Sequence, residues 1–260
     1  MATFLFDKII FGPVKSRRLG VSLGINLLPG TKKVCNFNCI YCECGWTPSS
    51  SKEGGYLPRR EEVSEALDSR LQEMKVRGQR PDVITFAGNG EPTLHPDFSG
   101  IIDDCIRLRN KHYPGIKIAV LSNSTTINNP SVKDALQKVD MNILKLDSAF
   151  DLTVRLHNQP RVNIKVDELI ENLKKFKGQI IIQTLFLRGK YNGRHIDNTT
   201  PEEIDAWLEA LIKIRPSEVM IYTISRDTPG EDQLRKVPLK ELKEIASRVE
   251  MLGIQTRVSG

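Results

Sequence analysis

Short β-branched apolar runs alternate with longer amphipathic segments along most of this chain, the pattern of parallel strands joined by crossover helices. A strand is expected over 21–27 and a helix over 60–77, followed by strand 83–87, helix 97–111 and strand 117–122. The alternation continues as helix 131–138, strand 141–147, helix 166–176, strand 179–187, helix 201–214 and strand 218–224. A last helix over 239–252 carries charges three and four residues apart, as a solvated outer face does. These are six strand–helix units, too few to close an eight-fold barrel. No linker rich in Gly, Pro or Ser divides the chain, so one domain over 1–260 is expected, with 1–20 as an amino-terminal extension. The stretch 43–58, with Ser49-Ser50-Ser51 and Gly54-Gly55, reads as a mobile loop.

Length and charge add little to that picture. The 260 residues suit one α/β domain of ordinary size, and the net charge of +6 permits an anionic partner without demanding one. Residues 1–11 are apolar, but Asp7 and Lys8 interrupt them and no apolar stretch elsewhere reaches a spanning length. A soluble, cytoplasmic protein with no membrane partner is expected.

Chemistry enters with the cysteines. Cys35, Cys39 and Cys42 lie within eight residues, directly after the first expected strand. The count of five cysteines is odd, four of them are crowded together, and nothing resembles a secretory signal, so disulfides are disfavoured. Spacings of three and then two residues on a loop let three thiolates wrap one face of an iron–sulfur cubane, which leaves one iron open to a ligand. The competing reading is a four-thiolate zinc module for RNA or protein, built from Cys35, Cys39, Cys42 and Cys44. Cys105, in an apolar-periodic segment, reads as a buried thiol.

The Cys-x3-Cys-x2-Cys spacing, with aromatic Tyr41 just before the third cysteine, resembles the signature of the radical S-adenosylmethionine (radical SAM) superfamily. The resemblance implies a partial (β/α)6 TIM-like barrel with parallel strands and outer helices. It also implies a [4Fe-4S] cluster on Cys35, Cys39 and Cys42 whose open iron chelates S-adenosylmethionine. Reductive cleavage of that cofactor then gives a 5′-deoxyadenosyl radical for hydrogen abstraction. Gly12-Pro13-Val14-Lys15-Ser16-Arg17-Arg18-Leu19-Gly20, Gly88-Asn89-Gly90-Glu91-Pro92-Thr93-Leu94 and Ile221-Tyr222-Thr223-Ile224-Ser225-Arg226 are similar to segments of the branch containing the wyosine-type tRNA base-forming enzymes. An electron donor such as flavodoxin or ferredoxin is implied. The substrate is left open between a tRNA base, a polypeptide and a small metabolite.

In parallel α/β folds, reactive groups gather at the carboxyl ends of the strands. The second strand ends in Gly88-Asn89-Gly90-Glu91-Pro92-Thr93, which resembles the family's Gly-Gly-Glu-Pro motif with Asn89 replacing the first glycine. Gly90 and Glu91 are therefore cofactor candidates, with Glu91 set to meet the methionine ammonium. Ser122 and Asn123, after the third strand, match the family's ribose-contacting position, although capping alone accounts for such residues. Lys145 and Asp147 share one face of the fourth strand, as an ion pair or a ligand grip. Gln183 on the fifth strand and Tyr222 at the end of the sixth complete the cofactor candidates with Tyr41. Arg155, His157 and Arg226 are weaker candidates, and Ser16-Arg17-Arg18 could sit against a phosphate-rich partner, although two adjacent arginines usually report only a solvated strand edge.

Overall fold

The computed structural model describes residues 4–49, 55–225, 228–229 and 234–260. Its spine is a curled, mostly parallel sheet in the order β1-β2-β3-β4-β5-β6-β8-β10. Strands β1 (Ile10–Ser16) and β2 (Gly20–Ile25) form an antiparallel hairpin. From β2 onward the path is parallel through β3 (Val83–Phe86), β4 (Lys117–Ser122), β5 (Met141–Lys145), β6 (Ile181–Tyr191), β8 (Glu218–Thr223) and β10 (Gln255–Ser259). The sheet is a half-barrel, as the six-unit count required.

Helices α1 (Arg60–Val76), α2 (Phe98–His112), α3 (Pro130–Gln137), α4 (Asp151–His157), α5 (Val166–Lys174), α6 (Pro201–Ile214) and α7 (Leu239–Glu250) occupy the crossovers. Each longer one buries a periodic stripe. In α1 it is Val63, Leu67, Leu71 and Met74, spaced four, four and three apart so that all face the sheet. Burying each such side chain contributes about 1.5–3 kcal/mol. The starts of α3 and α6 follow one rule: Asn129 and Thr200 cap the backbone N–H groups of Ser131 and Glu203, and a proline occupies the first helical position. Between sheet and helices the core is filled by Phe86, Phe98, Phe176, Phe186 and Trp207 among others, and the Trp207 indole N–H donates to Thr184 Oγ1 at 3.1 Å. The concave face holds a smaller apolar cluster of Val83, Ala119, Met141, Ile143, Ile181 and Met220, against which Leu19 of the hairpin turn packs.

Boundaries differ from the sequence expectations in ways the packing explains. Strand β6 runs on to Tyr191 because β7 (Arg194–Asp197) and β9 (Leu234–Lys236) pair with its outer half. The segment 10–16, expected within an extension, is edge strand β1. Strand β10 and the seven-residue helix α4 were not expected. The former is a polar edge strand, and the latter is too short to show a helical repeat. Of the expected mobile loop over 43–58, residues 50–54 lie outside the described residues. Among the described residues, no helix is long and apolar enough to cross a membrane.

Candidate active site

The cysteine loop leaves β2 at the carboxyl end of the sheet and takes its shape from neighbouring segments. Val34 N–H donates to Asn89 O at 2.8 Å and Val34 O accepts from Glu91 N at 3.1 Å, a bridge that docks the loop on the Gly88–Glu91 turn. On the other side Asn38 N donates to Asn158 O and Ile40 N to His157 O, both at 2.9 Å, and Phe37 bridges to Pro160. The loop therefore hangs between the ends of β3 and α4.

Two residues of the glycine-rich turn carry this docking. A Cβ on Gly90 would lie 1.8 Å from Val34 O, and its φ of +138° is one that side chains rarely adopt, so only glycine lets the two backbones meet. Asn89 is fully buried. Its amide donates to Phe6 O and Pro29 O at 2.8 Å each, and its Oδ1 accepts from Phe6 N at 2.9 Å, so it fastens the amino-terminal segment.

Cys35, Cys39 and Cys42 gather in one apolar cluster with Phe37, Ile40, Tyr41, Leu185 and Leu187. Amide N–H groups point at their sulfurs: Phe37 N at 3.4 Å and Asn123 Nδ2 at 3.6 Å from Cys35 Sγ, and Asn158 Nδ2 at 3.4 Å from Cys39 Sγ. Burial pushes the Cys35 thiol up to about 12 and raises that of Cys39. Cys42 is drawn down by the hydrogen bond from the Cys44 thiol, with Lys33 assisting against burial, and Cys44 is raised by the same bond. Gly88 O, 3.3 Å from Cys44 Sγ, is a second acceptor for its one hydrogen.

Lys33, which the sequence reading passed over, is only 2% exposed and donates to Gly45 O at 3.0 Å. Burial works to lower its ammonium, yet the nearby Cys42, Cys35 and Cys39 outweigh that and raise it. A buried cation beside three thiols is what an anionic sulfur cluster requires for charge balance.

Glu91 is 2% exposed, and its carboxylate is ringed by donors: Thr93 N and Oγ1 at 3.2 and 2.6 Å on Oε1, Asn123 N at 2.6 Å on Oε2, and the Ser122 hydroxyl. Burial raises its pKa despite these donors. Asn123 in turn donates to Asn36 Oδ1 at 2.6 Å, so the end of β4 is laced to the cysteine loop.

Asp147 is the hub on the other flank. Its Oδ2 accepts from Tyr41 Oη, from Asn158 Nδ2 at 2.7 Å and from Lys145 Nζ at 3.3 Å, and its Oδ1 accepts from Leu185 N at 2.9 Å. Burial works to raise this carboxyl, but Lys145 and the three donors hold it below its usual range. For Lys145 burial works downward, yet Asp147, Tyr222 and Cys39 keep the ammonium well above its ordinary value. The structure thus brings Lys145, Asp147 and Tyr41 together beneath Cys39. Gln183 and Tyr222 lie further along the sheet, and both contact Arg18. Arg155 is exposed, Arg226 lies outside the described residues, and His157 is buried with neither ring nitrogen bonded. Asn158 and Lys33 were missed because a lone Asn or Lys carries no spacing signal; only the fold sets them against the sulfurs.

The sequence matches the radical SAM superfamily over residues 31–190. This chain belongs to the radical SAM superfamily. A UPF0026 protein of Helicobacter pylori (strain J99) is 32% identical to this radical SAM chain over 244 residues, 89% of this chain and 73% of that protein. A protein named GTPase Obg in Brachyspira hyodysenteriae is 32% identical over 231 residues, 87% of this chain but 31% of that protein, so this chain spans about a third of that relative. Among solved structures, a radical SAM methyltransferase from Sphaerobacter thermophilus has a TM-score of 0.66 at 12% identity, covering 92% of this chain and 65% of its own. The enzyme anSMEcpe with bound AdoMet (S-adenosylmethionine) follows at 0.56 and 18%, covering 91% and 63%; archaeal TYW1, a wyosine-forming enzyme, is at 0.52 and 14%, covering 88% and 71%. At these identities the structures speak for the fold, a partial TIM barrel. Membership makes the chain an enzyme and implies S-adenosylmethionine and an iron–sulfur cluster.

The residues present fit such a cluster. Thiols in an apolar pocket, N–H groups on sulfur and a buried counter-cation are the means by which proteins hold and tune iron–sulfur centres. The zinc reading is not favoured, because the family to which the chain belongs implies an iron–sulfur cluster on these cysteines.

Proposed function

We propose that this chain cleaves S-adenosylmethionine reductively at a [4Fe-4S] cluster held by Cys35, Cys39 and Cys42, and uses the product to abstract hydrogen from a substrate. The observation that supports this most is Lys33, a buried ammonium set against the three family cysteines. The chemistry the cluster supplies when bound is a single electron to the sulfonium, which yields methionine and a 5′-deoxyadenosyl radical.

The chain's own residues hold and orient. Lys33 offsets part of the thiolate charge, the amide groups of Phe37 and Asn123 donate to sulfur, and that of Asn158 lies against Cys39. Glu91 is the site for the methionine ammonium. Its acceptors are already met by Thr93, Ser122 and Asn123, so the ammonium takes the place of a hydroxyl donor and brings charge to a carboxylate that burial otherwise disfavours. Gly90 lets the turn approach the loop; Ser122 and Asn123 present a hydroxyl and an amide to the nucleoside. Lys145 and Asp147 fix Tyr41 behind Cys39, and Gln183 and Tyr222 border the substrate side. Apolar neighbours such as Leu185 and Leu187 exclude water from the reacting atoms. A reductant of the flavodoxin or ferredoxin class delivers the electron.

The test is anaerobic reconstitution with iron and sulfide, followed by dithionite reduction in the presence of S-adenosylmethionine. Broad visible absorption and release of 5′-deoxyadenosine are expected, and both vanish when Cys35, Cys39 and Cys42 are all replaced by Ala. Release by the triple variant, or a colourless chain with stoichiometric zinc, overturns the proposal.

A further inference from the structure

The amino-terminal hairpin reaches across the open side of the half-barrel. From its turn, Arg17 donates to Gly260 O at 2.8 Å and to Ser225 Oγ at 2.6 Å, while the Arg18 carbonyl accepts from Arg257 Nη1 at 2.7 Å. These bonds tie the first strands to the last. None of them uses the Arg18 guanidinium, which lies 4.3 Å over the Tyr222 ring and donates through Nη1 to Gln183 Oε1 at 3.1 Å.

Two cavities lie beside this residue. One, of about 270 Å³, lies on the cysteine side and is lined by Tyr41, Cys42, Glu43 and Tyr222. The other, of about 420 Å³, is lined by Asp82, Lys117 and Arg257 around the opposite strand ends. Arg18 lines both. A guanidinium carries five N–H donors in a fork that matches a carboxylate or phosphate. Here one amide oxygen and one ring face are its partners, and among the described residues no carboxylate lies within ion-pair distance of it. A partly buried cation whose partners among the described residues are neutral gains from an incoming oxyanion.

We propose that Arg18 is a substrate-binding residue that receives an oxyanion, a carboxylate or a phosphate, in the cavity on the cysteine side and so orients the substrate toward Cys42. The assignment to substrate rests on the enzymatic reading above; the anion site itself does not.

The experiment titrates inorganic phosphate or acetate into the full chain, with and without reconstituted iron and sulfide, at ionic strength held constant with chloride. The thermal midpoint is followed, and arginine labelling by phenylglyoxal is mapped by peptide mass spectrometry. Expected are a saturable rise in midpoint with at least one anion and protection of Arg18 at the same concentrations. Arg18→Gln weakens the apparent affinity about tenfold or more, and Arg18→Lys, which keeps the charge and loses the fork, falls between. Phosphate acting without acetate assigns a phosphate group, and the reverse a carboxylate. Failure of both anions to protect Arg18, or an unaltered saturation curve in Arg18→Gln, overturns the site; should the variant not fold, the labelling of the unsubstituted chain decides. Neither readout uses cofactor cleavage, so a chain that protects Arg18 yet releases no 5′-deoxyadenosine refutes the proposed function and leaves the anion site standing.

Discussion

Asn158 is the residue whose loss should most disturb the cysteine loop without touching a cysteine. Its side-chain amide lies 2.7 Å from Asp147 Oδ2, 2.8 Å from Tyr41 Oη and 3.4 Å from Cys39 Sγ, and the residue is 1% exposed. Two hydrogens cannot serve three acceptors at once, so the nearest two dominate. Asn158→Leu keeps the branched heavy-atom shape and removes one bond to a buried carboxylate, about 1.5–3 kcal/mol, and one to a hydroxyl, about 1 kcal/mol. The expected loss is about 2–4 kcal/mol, a fall in melting temperature of roughly 5–15 °C for a chain of this size. Urea unfolding and a thermal melt read it directly. A double-mutant cycle with Tyr41→Phe should give a coupling of about 1 kcal/mol, since both substitutions cut the same network. An Asn158→Leu chain that melts within a degree of the unsubstituted one, or additive losses in the cycle, would refute the view that this amide holds the loop.

Two further outcomes follow from buried groups. Gly90→Ala should cost about 3 kcal/mol or more, because the added methyl meets Val34 O and the backbone is in a region reserved for glycine; Gly78→Ala, at φ +64° with open space around it, is the control at about 1 kcal/mol, and equal melting of the two variants contradicts the argument. For His157, burial lowers the imidazole from 6.5 to about 4, with Asp147 and Asp197 opposing and Lys145 assisting. The folded chain therefore keeps it neutral while the unfolded chain takes a proton below pH 6.5, so stability present above 6.5 declines as pH falls toward 4. The loss reaches about 2 kcal/mol by pH 5 and about 3 kcal/mol in full, and urea titrations of His157→Leu should lack this component; parallel pH profiles for both proteins would exclude it.

The alternation of strands and helices was legible because each longer helix repeats its apolar positions and each central strand is a run of buried side chains, as Val83–Phe86 illustrates. Strand β10 was not, since Gln255, Thr256 and Arg257 at a sheet edge bury too little to leave a pattern. At the site, the cysteines and the Lys145–Asp147 pair could be read from spacing and period, and Glu91 from its resemblance to the family's glycine-rich motif. Lys33, Asn158 and Arg18 could not, because their surroundings are made by contacts across the fold: Asn158 meets Cys39 from 119 residues away, and Arg18 meets Gln183 from 165. Asn89 shows a second limit. The residue that departs from the glycine motif is a staple for Phe6 and Pro29, while Gly90 keeps the close backbone approach.

The family match begins at residue 31 and ends at 190, and that span contains the cysteine loop, Lys33, Glu91, Asp147 and Asn158. Most of what shapes the loop is thus inside it, for its main-chain partners lie in the Gly88–Glu91 turn and in the segment from His157 to Arg161, with Phe4 N on Glu43 O as a contact from outside. The closure of the half-barrel lies outside it, in Arg17, Arg18, Ser225, Arg257 and Gly260. Radical generation needs one fixed geometry, whereas substrates differ, and function varies on a constant scaffold through the parts appended to it. The hairpin turn is such a part, and it places a cation against both cavities. Exchanging Arg17-Arg18-Leu19 for the turn of a radical SAM enzyme with a different substrate should therefore leave iron and sulfide content unchanged while abolishing anion protection. A swap that emptied the cysteine loop of iron would show instead that the two parts are not separable.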